Sequence, residues 1–309
     1  MVFGDTSESV DEVNCPRFLF YVFFYHFLNK NKYVKLEIKK SMKRLNTFFY
    51  LCSIALCSLT LTSCGDGDDT SVNEGHISNG IDNGHQYVDL GLSVKWATCN
   101  VGADKAWEYG VFYSWADIES KELYNLSNCK FKNESGWTKY CTDSNNGVFD
   151  GNNTLDLEDD AAYQNWKGKW RMPTKSEMDE LYNNCVWRYT SNYNGESVNG
   201  FIVFKAKVSK DKGIKQCEGN YVSTSATYNI DNDVHIFIPL AGHCDPKVDY
   251  INPSTGELET TQGKHGTYWT STLRSDGCSS SYDLDIKSDK IKIGTTGRGH
   301  GETIRAVHP

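Results

Sequence analysis

Thr267-Tyr-Trp-Thr-Ser-Thr-Leu273, then Tyr282-Asp-Leu-Asp-Ile286, then Lys290-Ile-Lys-Ile293: three short runs of β-branched and aromatic residues follow one another with only polar connections between them. Runs of this composition, bounded by Ser, Asp and Gly, read as strands. Strand follows strand with no helix between, so the sheet is expected to be mainly antiparallel. Outward from this core, 200–208, 234–240 and 303–307 read as further strands. Upstream, 87–90 and 92–97 read as an opening hairpin joined at Gly91, with another strand at 111–115 after the breaker Gly110.

Two short helices interrupt this pattern, and both lie early. In Leu157-Glu-Asp-Asp-Ala-Ala-Tyr-Gln-Asn-Trp166, the acidic residues Glu158, Asp159 and Asp160 suit a first helical turn, where the helix dipole favours negative charge. Ala162, Tyr163 and Trp166 then share one face, and Gly168 ends the helix. The same triplet has a second reading as a metal or acid/base cluster. The second helix opens at Thr174, where Thr-x-x-Glu to Glu177 is a capping box, and Met178, Leu181, Tyr182 and Cys185 give it an apolar stripe. The expected fold class is α+β, a mainly antiparallel sheet with two short helices and long loops. The longest connections, 209–233 and 241–266, exceed ordinary loop length and are where a ligand surface is expected.

The loop 121–153 is polar and rich in Asn, Ser and Gly. Counted as an EF-hand from Asp143, its sixth and twelfth positions hold Val148 and Thr154 instead of Gly and Glu, so a plain Asn/Asp loop is the default over calcium.

The N-terminal part is read separately. From Met42 come Met-Lys-Arg, a mostly apolar run 45–61 and then Leu61-Thr-Ser-Cys64, which together make a secretory signal peptide of the lipoprotein kind. Cys64 is the expected lipidation site, 42–63 the signal peptide, and 1–41 an extension ahead of the true start. The competing reading of 1–41 is a cytoplasmic tail on a signal anchor, with the basic segment 30–44 inside. Residues 64–85, beginning Cys64-Gly-Asp-Gly-Asp-Asp-Thr70, form an acidic flexible tether, and 86–309 form the folded domain. The expected location is the outer membrane, held there by lipid and facing the cell surface.

Residues 1–64 hold eight of the 32 Lys and Arg and five of the 40 Asp and Glu, which leaves 24 basic against 35 acidic residues, a net charge of −11. A nucleic-acid partner is excluded on that balance. Beyond Cys64 lie Cys99, Cys129, Cys141, Cys185, Cys217, Cys244 and Cys278. In an exported protein this odd number leaves at least one thiol outside any disulfide, with the connectivity open. No CxxC or zinc spacing occurs.

Read together, the motifs Tyr87-Val-Asp-Leu-Gly-Leu-Ser-Val-Lys-Trp-Ala-Thr-Cys-Asn-Val-Gly102, Tyr109-Gly-Val-Phe-Tyr-Ser-Trp-Ala116, Trp170-Arg-Met-Pro-Thr174, Ile238-Pro-Leu-Ala-Gly242, Tyr268-Trp-Thr-Ser-Thr272 and Ile304-Arg-Ala-Val307 run in order along the domain. This series resembles the Fibrobacter succinogenes major paralogous domain family of Bacteroidetes lipoproteins. That family is related to the C-type-lectin-like fold and, distantly, to the formylglycine-generating enzymes, so the resemblance implies a C-type-lectin-like domain. It implies function only loosely. The sugar-binding triplets of calcium-dependent lectins (Glu-Pro-Asn, Gln-Pro-Asp, Trp-Asn-Asp) do not occur. The last cysteines, Cys244 and Cys278, stand too far apart in sequence to match the copper pair of the formylglycine-generating enzymes.

Three functions follow as expectations. The first is a non-catalytic binding module for glycan or another surface ligand, with the loop aromatics Tyr221, Tyr228 and Tyr250 as stacking candidates. The second is a structural or assembly component of the cell envelope, and the third an enzyme. The enzyme ranks last, because no G-x-S-x-G, H-E-x-x-H or P-loop occurs and His235, His243, His265 and His300 are scattered in sequence. No metal and no cofactor is expected.

Overall fold

The computed structural model describes residues 79–216, 228–244, 261–275 and 277–309. In chain order, β1 (Gly80–Asp82), β2 (His85–Val88) and β3 (Lys95–Ala97) come first, followed by the short pair β4 (Lys132–Asn133) and β5 (Gly136–Trp137). Then come α1 (Ala161–Trp166), α2 (Lys175–Asn184), β6 (Cys185–Thr190), β7 (Gly200–Lys205), β8 (Lys215–Gln216) and β9 (His235–Pro239). The chain ends with β10 (His265–Leu273), β11 (Ser280–Lys287), β12 (Lys290–Gly297) and β13 (Val307–His308). The class is α+β. The described strands pair antiparallel throughout except β6 with β8.

The meander β10-β11-β12 is the run read first from sequence, and its register shows why it holds. Trp269 faces Asp283, Leu284 faces Ile293, and Ile286 faces Ile291. Side chains alternate across a sheet. Tyr268, Leu284, Ile286, Ile291 and Ile293 therefore share one face, which packs with Met178 and Leu181 of α2 in one core cluster. A second sheet, in the order β8-β6-β7-β9, adds Trp187, Phe201, Val203, Ile236 and Ile238 to the same core. The third sheet, β1-β2-β3-β13, closes the domain by pairing Val307 with Trp96.

Several elements depart from the sequence reading. Folded chain begins inside the stretch read as tether, because Asn83 and Gly84 take positive φ (46° and 86°) and turn β1 back onto β2. The expected strand at 111–115 contributes a single bridge, Tyr113 with Glu302. The expected strand at 303–307 reduces to Val307–His308 plus isolated bridges. β6 was not foreseen, since Cys185-Val-Trp-Arg-Tyr-Thr190 follows α2 with no breaker between them. The acidic triplet also divides: Glu158 and Asp159 belong to a 3-10 turn, and Asp160 is the N-cap of α1, accepting from Tyr163 N at 2.9 Å. The capping box of α2 is present in both halves, and Glu177 also receives the Arg171 guanidinium on both oxygens, at 2.8 and 2.6 Å.

The resemblance-bearing motifs serve as fasteners. Arg305 is wholly buried and donates to the carbonyls of Ala97, Thr98 and Phe237 and to Asn100 Oδ1, so one side chain ties β3, the following loop and β9. Trp269 Nε1 donates to Tyr113 O and Trp115 Nε1 to Thr270 O, both at 2.8 Å, and Trp170 Nε1 donates to Asp82 O. A buried indole N–H needs such a partner, which fixes these segments to one another. Cys141 and Cys278 form a disulfide with Cα atoms 4.9 Å apart, while Cys99, Cys129 and Cys185 are buried thiols. Among the described residues no helix is long and apolar enough to cross a membrane.

Candidate functional site

The face of β10-β11-β12 turned away from α2 is polar although largely covered. By register it carries Thr267, Trp269, Ser281, Asp283, Asp285, Lys292, Gly294 and Thr296. Residues 301–303 lie across it: Glu302 exchanges backbone bonds with Tyr113, Gly301 with Cys244, and Thr303 N donates to Thr267 O. This covering segment delivers Glu302, with no exposed surface, beside Asp283 and Thr296. Gly294 faces Asp283 because nothing larger fits: a Cβ there would meet Asp283 Oδ1 at 2.5 Å. Burial drives the Glu302 carboxyl well above the usual range, with the neighbouring Asp283 carboxyl adding to the effect, and burial raises Asp283 as well.

Along the strands, this face passes from dry to half-exposed. Asp285 accepts from His265 Nε2 at 2.7 Å and from Lys292 Nζ at 2.9 Å. Burial alone would raise its carboxyl, but the hydrogen bonds from His265 and Lys292 outweigh that and hold it at about 2. His243 packs edge-to-face on His265 with ring centres 4.8 Å apart, and its backbone N–H donates to Thr261 Oγ1 at 2.9 Å. His243 and His265 both lie within the 241–266 connection, one of the two long loops expected to carry a ligand surface. The result is a rim of donors and acceptors (His243, His265, Asp285, Lys292) on a rigid sheet, with a dry carboxyl pair beneath it.

The sequence-selected positions fare differently. Tyr228 is buried. Its hydroxyl donates to Asp211 Oδ2 at 2.9 Å and accepts from Lys207 N at 3.0 Å, while its ring packs on Phe204 and under Lys207 Nζ. It is a core fastener, with no ring face left for a sugar. Cys64, Tyr221 and Tyr250 lie outside the described residues, as do the signal peptide, most of the tether and Cys217. The acidic triplet resolves into pairing. Asp156, Glu158 and Asp159 all reach Lys139 Nζ, at 2.8, 2.8 and 2.6 Å, and Asp159 also binds Lys130 and Tyr140. These three carboxylates come close enough together to hold a metal ion, but a lysine ammonium already stands among them. In the Asn/Asp loop, Asp143 accepts from Asn145 N and from the amides of Asn145 and Asn146, and Asp150 accepts from the backbone of Tyr140, Cys141 and Asn152. Those are turn-forming bonds.

His235 is buried against Tyr193 and Asp233 O. His243 and His265 were passed over as scattered, although the topology brings them together. Nothing local marks Glu302: only the fold reveals a glutamate beside an aspartate in a dry interior. No known protein family, no curated protein and no solved structure matches the chain.

Proposed function

We propose that this chain is a lipid-anchored envelope protein, held in the outer membrane through Cys64 and facing the cell surface, whose C-type-lectin-like domain binds a ligand without transforming it. A glycan is the leading ligand class. The observation that carries this reading is the rim His243, His265, Asp285 and Lys292, set at the 241–266 connection on strands packed into the core. Sugar hydroxyls are recognised by planar acceptors and fixed donors whose geometry is set before binding, which lowers the ordering cost. Asp285 is fixed in that way by His265 and Lys292, yet its side chain keeps 20% of its surface open, with Lys292 at 48%. The order of the quoted motifs along the domain, and their use as fasteners, support the lectin-like assignment. The net negative charge favours neutral or cationic ligands over polyanions. The test is a glycan and mucin array probed with the full chain in detergent, alongside protease shaving of intact cells. Binding to a defined set of glycans and loss of the domain on shaving are expected; no binding across diverse glycans sinks the glycan reading, and protection from protease sinks surface exposure.

A further inference from the structure

We propose that Asp283 and Glu302, with the hydroxyls of Ser281 and Thr296, form an internal site for a hard divalent cation of the calcium type. The inference stands on the dry end of the polar face and does not rest on glycan binding. Glu302 has no exposed surface, and neither of its oxygens has a hydrogen-bond partner among the described residues. Its nearest polar neighbours are Thr296 Oγ1, whose hydroxyl donates to Asp283 Oδ2, and the Asp283 carboxyl itself, which stands close enough to share a proton with it. Asp283 Oδ1, Thr267 Oγ1 and Ser281 Oγ are likewise buried without partners. Carboxyl and hydroxyl oxygens of β11, β12 and the covering segment therefore meet at the buried Asp283–Glu302 pair.

The charges nearby are accounted for elsewhere. Lys292 and His265 are both bound to Asp285. Arg298 directs its Nη1 to the carbonyls of Tyr140 and Cys278 and stacks on Trp137 at 3.9 Å. Two buried carboxylates facing each other without a counter-charge cost several kcal/mol each, so the pair is held either by a cation or by protonation. The donor set is all oxygen, with two carboxylates to balance a double charge. Calcium takes roughly six to eight oxygens in flexible geometry, whereas zinc and copper call for nitrogen or sulfur. A single proton shared by the two carboxyls is the competing species, and the experiment below separates them.

The full chain, purified in detergent, is assayed for bound metal by mass spectrometry and for its melting temperature in calcium and in EGTA, and is titrated with terbium. Trp269, the cross-strand neighbour of Asp283 on the same face, serves as the sensitiser. The expected result is one calcium per chain, a melting temperature raised by calcium and lowered by EGTA, and terbium emission excited through tryptophan and competed away by calcium. Glu302→Gln loses all three responses. Ser281→Ala, which removes a single neutral ligand, keeps the fold and weakens the terbium response. Asp156→Asn, at the lysine-filled acidic cluster, leaves all three unchanged. A protein without bound metal, insensitive to calcium and EGTA, whose melting temperature falls as pH rises above neutrality, holds a shared proton and overturns the proposal. Retention of the calcium response in Glu302→Gln overturns it as well.

Discussion

Replacing Asp160 by alanine tests how the acidic start of α1 is held. Its Oδ1 caps the helix through Tyr163 N and its Oδ2 accepts from the buried Met172 N at 2.8 Å, so one carboxyl joins α1 to the segment leading into α2. Loss of the cap costs about 1 kcal/mol. Orphaning the Met172 N–H costs roughly 1–3 kcal/mol more. Against this, burial pushes the Asp160 carboxyl up to about 6, despite the amide bonds that favour its charged form. The folded value lies above the unfolded one, so the stability that this group contributes is fully present below about pH 4 and is lost as pH rises through about 6. At pH 7.5 the charged form therefore carries a penalty of about 3 kcal/mol that alanine escapes. Asp160→Ala should be close to neutral at pH 7.5 and destabilising at pH 4.5, the gap between wild type and variant widening by about 2 kcal/mol. Urea unfolding of both proteins at the two pH values measures this. A gap that stays constant, or widens toward high pH, refutes the claim that burial opposes the Asp160 charge.

Thr174→Ala breaks one half of the capping box and should cost about 1 kcal/mol in urea unfolding, while Glu177→Ala, which also strands the half-buried Arg171, should cost more. Replacing Cys141 and Cys278 together by serine opens a loop closed over 137 residues and should cost about 4–5 kcal/mol by chain entropy, read as a lowered melting temperature that reductant reproduces in the wild type. Tyr228→Phe should cost about 1–2 kcal/mol by leaving Asp211 and Lys207 N short of a partner, and should leave glycan binding untouched. A loss of binding at unchanged stability would return Tyr228 to the ligand surface.

The parts legible in sequence were those written locally. The Thr174–Glu177 box and the alternating runs of β10, β11 and β12 each carry their signal within a few residues. β6 did not, because Cys185-Val-Trp-Arg-Tyr-Thr190 continues directly from a helix, and its strand character comes from pairing with β7. Tyr228 reads as a loop aromatic until Phe204 and Asp211 are seen around it. The rim was illegible for a different reason. His243 and His265 stand near opposite ends of the 241–266 connection, and Asp285 joins them only through the Thr267–Asp285 register. Glu302 carries no local signal at all; the bridge between it and Tyr113 is what buries it.

The most direct test of the binding reading is a side-by-side glycan array of wild-type protein and a variant carrying His265→Ala and Lys292→Ala, replacements at the rim outside the core cluster. With melting temperatures matched, the account predicts defined glycan binding by the wild type and at least a tenfold loss in the variant, which corresponds to about 1.4 kcal/mol or more. Equal binding by both proteins would place the ligand elsewhere, and no binding by either would contradict the glycan reading itself.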